Sequence, residues 1–435
     1  MKVCVLGLWH LGSVTAACLA AGGHEVVGFD FDEEPVSHLL AGRPPLFEPG
    51  LEELIQEGMK ERLLGFTLDI ACALEGADVV WVAYDTPVDD QDRADVEFVV
   101  ERVKRTFPFL RDGTLVLISS QLAVGTTRRL EGAFAQACPG RDVSFAYSPE
   151  NLRLGKAIAV FSRPDRVVVG VRSHIDRERL RKLLSPFTSR IEWMSVESAE
   201  MTKHALNAFL AISITFANEI AALCEQVGAD AKDVERGLKS EERIGPKAYV
   251  APGSAFTGGT LARDVCFLND LAAAHGLTTH LLSSVKKSND IHRQWTRRML
   301  ESLLGPLAGL RIALWGLTYK PGTDTLRRSG SVELASWLIS QGARVSVHDP
   351  AVKAIPAVLA GNITQCDSSL AAASGAAAVV LATEWPEYQA VSADELVSVM
   401  AEPLVIDPNR FLGKKLGNDD RIRYSSVGYL HQRGE

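Results

Sequence analysis

The sequence predicts an α/β protein in which two Rossmann-like, doubly wound domains are joined by a central helical segment. Three observations predict this class: a strand, glycine turn, helix and strand at the N-terminus; a second unit of the same order after residue 305; and a long proline-free stretch between them. Apolar runs that alternate with helical patterns are typical of parallel sheets covered by helices on both faces.

The first unit has the order of a dinucleotide-binding motif. Lys2–Leu6 is a short apolar run, Gly7 and Gly12 enclose a turn, an Ala-rich helical stretch continues to about Ala21, and "HEVVGFD" ends on Asp30. In such motifs the pyrophosphate lies over the helix N-terminus, and an acid at the tip of the second strand accepts the ribose hydroxyls. The acid favours NAD over NADP, because it would repel the extra phosphate of NADP.

The glycine turn departs from the usual G-x-G-x-x-G pattern at its middle position, which is Trp9 in "GLWHLG". The middle glycine normally lets the backbone approach the pyrophosphate. Two interpretations stay open: the indole occupies the space of the phosphate, or it points sideways and NAD still binds over the helix N-terminus. The acid at the tip of the second strand supports the second interpretation, and we expect NAD as the cofactor.

The rest of the chain continues the alternation. "DVVWVAY", "TLVLISS", "SFAYSPE" and "DRVVVGV" are predicted strands of the first sheet, and "RIALWGL", "RVSVHDP", "AAVVLAT" and "PLVIDP" of the second, whose opening unit closes on Asp349. From Glu197 onwards a proline-free stretch with one late glycine predicts a spine helix. We therefore expect a Rossmann-like domain at 1–196, a central helical domain at 197–305 and a second Rossmann-like domain at 306–435.

Composition limits the functions to consider. The 435 residues are 46% apolar and 23% charged with a net charge of -8, which is ordinary for a globular enzyme and gives no basic surface for nucleic acid. The N-terminus lacks the charged and apolar regions of a signal peptide, and we expect no membrane segment and a cytosolic protein. The seven scattered cysteines suggest neither disulfides nor a metal site.

Nine fragments, in order along the whole chain, resemble the UDP-glucose/GDP-mannose dehydrogenase family. They are the glycine turn with "GFD", "FEPGLEEL", "TPVDD" with "AD", "SPENLRLGKAI", "RPDRVVVG", "AEMTKHALNAFLAISITFANEI", "RIGPKAYVAPGSAFTGGTLARD", "GLTYKPGTDTLRRS" and "ATEW". The resemblance implies oxidation of the C6 alcohol of a nucleotide sugar to the acid with two NAD. In the family's mechanism a cysteine in "GFGGSCFPKD" captures the intermediate aldehyde, and a thioester follows.

The cysteine position of that motif is occupied by Thr260. An ungapped alignment matches Phe256, Gly258 and Asp264 to their family counterparts. A thiol with a pKa of about 8.5 is appreciably ionised near neutrality, whereas an aliphatic hydroxyl is not, so we expect no covalent capture of the aldehyde. Cys266 would lie two positions beyond the aspartate on a helix, nearly on the opposite face, and is interpreted as a packed core thiol.

Other catalytic positions of the family are present. Lys203 and Asn207 are four residues apart, so on a helix they face the same side, and the resemblance implies that they steady a developing oxyanion on the sugar's O6. Asp264 would position or deprotonate water or the alcohol, and Glu150 would be the second acid–base group. For each of these four, a purely structural role on a solvated or capped helix is the alternative.

Several family positions are altered near the same reaction centre. Leu154 stands where the family has a second glutamate, and Gln121 where it has a threonine. The closing "DGRN" is "DPNR" here, so the arginine is displaced to Arg410. Groups that act as a unit lose function together, so these changes bear on the reaction.

The resemblance also implies binding residues. At the cofactor these are Gly7, Trp9, Leu11, Gly12, Asp30, Thr86, Pro87 and Arg327. At the nucleotide sugar they are Arg243, Tyr249, Gly253, Phe256, Gly258 and Lys320. A UDP sugar is the expected substrate, the C-terminal domain would bind its UDP, and a homodimer would form through the helix at 197–229.

Two functions of different classes are consistent with these residues. The first is an NAD-dependent nucleotide-sugar 6-dehydrogenase that releases an aldehyde or reaches the acid without a thioester. The second is a catalytically silent homologue that binds the nucleotide sugar and acts as a partner or regulator. Trp9, Thr260, Leu154 and Gln121 favour the second, whereas the retained lysine, asparagine and aspartates favour the enzyme.

Overall fold

The computed structural model describes residues 1–89, 93–257 and 259–430. These form two compact units, Met1–Leu206 and Asn207–Glu435. The predicted class is confirmed, because each unit contains its own predominantly parallel sheet with helices packed against it.

The sheet of the first unit has eight strands in the order β3-β2-β1-β4-β5-β6-β7-β8. The strands are β1 (Lys2–Leu6), β2 (Glu25–Phe29), β3 (Leu64–Thr67), β4 (Val79–Val82), β5 (Leu115–Ile118), β6 (Ser144–Tyr147), β7 (Val167–Gly170) and β8 (Ile191–Met194). All pairs are parallel except β6 and β7. Since antiparallel neighbours are entered and left at the same edge, the segment 148–166 stays at the carboxyl edge of the sheet, where α/β proteins bind ligands.

The helices of the first unit are α1 (His10–Ala21), α2 (Glu33–Leu40), α3 (Leu51–Lys60), α4 (Ile70–Leu74), α5 (Val96–Lys104), α6 (Thr126–Ala137), α7 (Ala157–Ser162), α8 (His174–Leu184) and the start of α9 (Val196–Val227). They cover both faces of the sheet. Val3 and Val5 of β1 belong to the core on one face and Cys4 and Leu6 to the core on the other, and all four are fully buried. This explains why the strand is a continuous apolar run.

The second unit contains helices α10 (Ala231–Ser240), α11 (Thr260–Ala274), α12 (His280–His292), α13 (Trp295–Leu304), α14 (Gly330–Ser340), α15 (Ser369–Ala373), α16 (Ala393–Val399) and α17 (Gly413–Leu416). Its strands are β9 (Arg311–Trp315), β10 (Arg344–His348), β11 (Ile363–Gln365), β12 (Ala378–Leu381), β13 (Leu404–Ile406), β14 (Arg423–Ser426) and β15 (Tyr429–Leu430). They lie in the order β11-β10-β9-β12-β13-β14-β15, and only β15 is antiparallel to its neighbour.

The opening turns of the two sheets have the same geometry. Gly7 after β1 has φ +89°, and Gly316 after β9 has φ +98°, a region that side chains rarely adopt. In each turn the next amide donates a hydrogen bond of 2.7 Å to the acid that follows the neighbouring strand. Leu8 donates to Asp30, and Leu317 donates to Asp349. The second Rossmann-like unit predicted from sequence is therefore present.

Helix α9 confirms the predicted spine and has a buried polar side. By length and composition alone it could cross a membrane, but 44% of its apolar window is buried inside the protein. Its Glu200 carboxylate is fully buried and accepts hydrogen bonds from the amides of Gly125 and Thr127 at 2.6 and 3.0 Å and from the Thr127 hydroxyl at 2.7 Å. The imidazole of His204 lies 2.9 Å from the carbonyl of Leu122. These contacts fix the loop before α6 against α9.

The start of α9 is also held by an ion-pair cluster whose strength depends on pH. Arg172 donates to both carboxylate oxygens of Glu197 at 2.8 Å and to Glu131 at 2.9 Å, and this hydrogen bonding lowers the pKa of Glu197 from 4.5 to about 2. A lowered carboxyl pKa contributes stability that is present above the unfolded value and lost as the pH falls towards the folded one.

We therefore expect Glu197→Gln to lower the melting temperature near neutral pH and to lose this effect between about pH 4.5 and 2. Thermal unfolding across that range checks it. Glu192→Gln, which removes an exposed carboxylate from β8, is the matched control. A Glu197→Gln difference that stays constant down to the acid end would contradict the assignment.

Candidate active site

The cofactor turn is built around two glycines that cannot carry a side chain. A Cβ on Gly7 would lie 2.7 Å from the backbone nitrogen of Tyr84, and a Cβ on Gly12 would lie 1.6 Å from the carbonyl oxygen of Gly7. Both distances are far below van der Waals contact. The turn can therefore run close to β4 and enter α1 only with glycine at these two places.

Trp9 occupies the N-cap of α1 and leaves its side chain 44% exposed. Its carbonyl accepts the Ser13 amide at 2.9 Å, which is the first hydrogen bond of the helix. The amides of His10, Leu11 and Gly12 precede that bond and so have no partner within the helix, which is the arrangement that suits a pyrophosphate. The backbone thus retains the anion-binding form in spite of the indole.

Asp30 orders the same turn. It is 5% exposed, one carboxylate oxygen accepts the Leu8 amide at 2.7 Å, and the other accepts the Asp32 amide at 3.2 Å. Burial raises the pKa of Asp30, and these amides act in the opposite direction. A carboxylate has about four acceptor sites, so capacity for ribose hydroxyls remains. Together with the glycines and the helix N-terminus, these residues fit NAD.

Two further predicted cofactor residues lie after β4. The hydroxyl of Thr86, which is buried, donates to the carbonyl of Gln121 at 2.8 Å. Pro87 follows it, and its carbonyl accepts the Asp95 amide at 2.9 Å. The altered Gln121 therefore contacts this segment through its backbone. Its buried side chain also makes a contact within the protein.

Sequence reasoning missed Glu48, which joins the cofactor turn to the segment after β6. Its carboxylate is 3% exposed and lies 2.9 Å from the His10 imidazole, 2.8 Å from the Gly155 amide and 2.7 Å from the Ala157 amide. The only available sign was its place in "FEPGLEEL", and nothing in that fragment indicates which backbone atoms it binds. The altered Leu154 is partly buried beside these amides in the chain.

In the first unit the predicted site residues Lys203 and Glu150 are brought together. Lys203 is 6% exposed, and its ammonium donates to the carbonyl of Glu150 at 2.6 Å and lies 3.5 Å from the carboxylate of the same residue. The carboxylate also accepts the Leu152 amide at 2.8 Å. A buried ammonium beside a carboxylate can bind an oxyanion and exchange a proton.

In the second unit Asn207 and Asp264 form another pair. The Asn207 amide donates to the carboxylate of Asp264, which is fully buried on α11. Asn207 lies one helical turn after Lys203 on α9, as the sequence spacing predicts. The alternative of a solvated helix face for Lys203 and Asn207 is wrong, because both residues are buried.

Helix α11 begins at Thr260 and contains Asp264 and Cys266, which were expected to lie on a helix. Thr260 is the first helical residue and is exposed, one turn before the aspartate and therefore on the same side of the helix. Cys266 follows two residues after the aspartate and is partly buried rather than a fully packed core thiol. The hydroxyl, not the thiol, is thus the side chain that shares a helix face with the carboxylate.

The loop before α11 that begins at Gly253, the lip of the candidate site, is held by side chains that sequence reasoning did not identify. The Gly253 amide donates to Asn218 at 3.0 Å, and its carbonyl lies 2.8 Å from the imidazole of His292. A Cβ on Gly253 would lie 2.1 Å from the side-chain oxygen of Asn409, which accepts the Ser254 amide at 2.7 Å. This explains why glycine is needed at the position.

The lip continues through Phe256, whose amide and carbonyl pair with the two side-chain atoms of Asn289 at 3.0 and 2.9 Å. The side chain of this buried asparagine pairs with the backbone amide and carbonyl of Phe256, as the backbone of a neighbouring strand would. Gly258, predicted to bind substrate, lies outside the described residues.

A cavity of about 490 Å³ lies next to this lip in the second unit. Its lining includes Ser254, Lys320, Thr383 and Asn409. It opens at the carboxyl ends of β9 and β12, between which the strand order reverses, and that is where open α/β sheets bind ligands. Its volume falls within the range of small-molecule sites.

Other residues predicted to bind ligands lie elsewhere. Arg243 pairs with Glu241 and its side chain is 88% exposed, and Tyr249 is 59% exposed. Arg327 is exposed, and neither it nor these two is among the described residues that line the cavity. The displaced Arg410 makes a two-pronged ion pair with Asp230 at 2.8 Å, so its charge is already compensated.

A Rossmann turn that fits NAD, a second α/β unit with a ligand cavity, and buried lysine, asparagine and carboxylate groups define the class of NAD-dependent dehydrogenases acting on a nucleotide-linked substrate. The family models agree. Residues 1–188, 197–291 and 313–414 match, respectively, the NAD binding, central and UDP binding domains of the UDP-glucose/GDP-mannose dehydrogenase family.

Individual relatives match along almost the whole chain. The UDP-glucose 6-dehydrogenase of Pseudomonas aeruginosa is 35% identical, over 99% of this chain and 97% of the relative. That of Rhizobium meliloti is also 35% identical, over 98% and 99%. A UDP-glucose dehydrogenase structure from Pyrobaculum islandicum is 30% identical with a TM-score of 0.88, covering 99% of this chain and 98% of that one. The chain belongs to the UDP-glucose/GDP-mannose dehydrogenase family, and with it come NAD as cofactor and a nucleotide sugar as substrate.

The geometry around Asp30 makes a prediction about cofactor choice. Asp30→Asn keeps an acceptor for the Leu8 amide but removes the charge, so NAD should bind about tenfold more weakly and NADP relatively better. Calorimetric titration of both cofactors checks this, with the exposed Asp165→Asn as control. Unchanged NAD affinity and unchanged discrimination would exclude Asp30 from the ribose site.

Proposed function

We propose that this chain oxidises the C6 hydroxyl of a UDP-glucose-like nucleotide sugar with NAD. The proposal rests on Lys203 and Asn207, which are buried on successive turns of α9. Lys203 is hydrogen-bonded to Glu150 and Asn207 to Asp264, and both acids are predicted catalytic residues. Relatives named UDP-glucose 6-dehydrogenase at 35% identity support this choice of sugar and base.

In the proposed reaction NAD, when bound, accepts a hydride from C6. Lys203 and Asn207 donate to O6 and stabilise the negative charge that develops there as its proton leaves. Glu150 or Asp264 takes that proton. The resemblance implies that the nucleotide sugar is held by Arg243, Tyr249, Gly253, Phe256, Gly258 and Lys320.

The second oxidation is the step at which residue 260 matters. The Thr260 hydroxyl is not ionised near neutrality, so it does not capture the aldehyde as a cysteine thiolate would. The aldehyde is then released, or its hydrate loses a hydride to a second NAD and a proton to Asp264 or Glu150. Neither route passes through a covalent acyl group on the protein.

A binding protein without catalysis is the second candidate. The specific observation in its favour is the exposed Trp9 side chain at the N-terminus of α1, directly beside the amides that fit the pyrophosphate. In that case the nucleotide sugar would bind and no NADH would form.

We further propose that the chain has three domains, divided at residues 196 and 305, that it is cytoplasmic, and that it has a role in polysaccharide biosynthesis.

The stoichiometry of NADH formed per UDP-glucose separates these possibilities. The wild-type protein should give one NADH or fewer with an aldehyde that a hydrazine traps. Thr260→Cys should raise the ratio towards two, because the thiolate then captures the aldehyde. Thr260→Ser is the matched control and should resemble the wild type. Two NADH per sugar from the wild type without a trappable aldehyde would contradict aldehyde release, and none would favour the binding protein.

Lys203→Ala tests the assignment of the oxyanion group. The first oxidation should slow by about 100-fold or more, since an oxyanion donor is removed from a water-poor site. The rate of NADH formation at saturating substrate measures it, with Lys287→Ala, an exposed lysine on α12, as control. Unchanged turnover would remove Lys203 from the reaction.

We propose that the protein is a homodimer through α9. Phe209, Phe216 and Leu223 are spaced seven residues apart and are 66, 46 and 62% exposed, so they form an apolar stripe along one side of the helix. A seven-residue apolar repeat favours packing against a second helix. An exposed apolar patch of this kind marks a protein interface.

Phe209→Asp combined with Phe216→Asp should therefore convert the dimer to a monomer, because two buried charges would oppose each other across the two-fold axis. Light scattering after gel filtration gives the mass. Val358→Asp, at an exposed apolar position far along the chain, is the control. A wild-type protein that is already monomeric, or a double variant that stays dimeric, would contradict this interface.

A further inference from the structure

The charges on the wall of the 490 Å³ cavity are unevenly compensated. Its cations are Arg293, Arg297 and Lys320, and its acids are Glu333 and Glu384. Arg293 forms an ion pair with Glu333. Burial raises the pKa of Glu384, which weakens its tendency to carry charge. Lys320 also makes an interaction within the protein.

Arg297 differs from its neighbour on the same wall. Within the described ranges it forms no ion pair, and its one hydrogen bond goes from Nη1 to the side-chain oxygen of Gln294 at 3.0 Å. Its guanidinium lies 5.3 Å from the ring centre of Trp337, which fixes its plane. Burial lowers the pKa of Arg297, the charge of Glu333 acts in the opposite direction, and the charge of Arg293 lowers it again. A further anion beside the guanidinium would therefore favour its charged form.

The arrangement of the N–H donors of Arg297 indicates which anion would bind there. A guanidinium presents five N–H donors in a planar fork that matches a phosphate, and Arg297 has one of them engaged. The arginine that the family motif places after β13 is not available, because Arg410 is paired with Asp230, and Asn409 in its place accepts the Ser254 amide. Arg410 does not line the cavity, so a diphosphate there would meet cations of other elements, among them Lys320 and Arg297.

We propose that Arg297, at the start of α13, binds the diphosphate of the nucleotide substrate in this cavity and is a specificity-determining residue for it. The inference rests on the proposed function, since the diphosphate is that of the nucleotide sugar. Arg297 then distinguishes a nucleoside diphosphate from a nucleoside.

Calorimetric titration of the full chain with UDP, UMP and uridine tests the assignment. Arg297→Gln should weaken UDP by about 10- to 100-fold and leave uridine within about twofold, because only the phosphates contact the guanidinium. UMP should be affected to an intermediate extent. Arg297→Lys keeps the charge without the fork and should weaken UDP less. Lys287→Gln removes an exposed positive charge from α12 and should change nothing.

The outcomes separate this inference from the proposed function. Unchanged UDP affinity in Arg297→Gln, with tight UDP binding by the wild type, overturns the role of Arg297 and leaves the proposed function intact. Equal weakening of UDP and uridine shows a structural role and also overturns it. Absence of UDP and UDP-glucose binding by the wild type overturns both. Should Arg297→Gln fail to fold, Arg297→Lys decides: UDP affinity equal to the wild type contradicts the proposal, and selective loss for UDP supports it.

Discussion

The buried polar residues of one helix, α9, must each find a hydrogen-bond partner. Burying a carboxylate, an ammonium, an imidazole and an amide costs free energy unless each meets a partner. Glu200, Lys203, His204 and Asn207 all do so, with backbone atoms of the loop before α6, with Glu150 and with a carboxylate on α11. The backbone and side chains that these four residues contact are therefore held by α9, and 44% of the apolar window of this helix is buried inside the protein.

Much of the fold and part of the candidate site could be predicted from local patterns in the sequence. The glycine turn, the acid at the tip of β2 and the four-residue spacing of Lys203 and Asn207 follow from periodicity and from turn chemistry, which depend on neighbouring residues only. The start of α11 is not marked in the sequence, because the N-cap of the helix is Gly259, which has no side chain to cap it, and Thr260 is already the first helical residue.

What sequence could not predict are contacts between distant segments. Glu48 binds amides more than 100 positions away, and Asn409 binds an amide of the lip 155 positions away. Asparagine and glutamate in loops are ordinary surface residues by composition, so nothing local distinguishes these two. Arg410 illustrates the same point, since a one-residue displacement in "DPNR" becomes interpretable only through its ion pair with Asp230. Whether the turn after β1 has room for the pyrophosphate of NAD likewise depends on where the Trp9 indole lies.

We propose that groups on or beside α9 carry the oxidation of the alcohol, and that the Thr260 hydroxyl, which is not ionised near neutrality, does not form the acyl bond that the family's second oxidation uses. The most direct measurement is the intact mass of the protein, quenched in acid during turnover with UDP-glucose and NAD. We expect an unmodified mass at every time point, whether the aldehyde is released or its hydrate is oxidised. A transient mass increase equal to a nucleotide-sugar acyl group on any residue would contradict it.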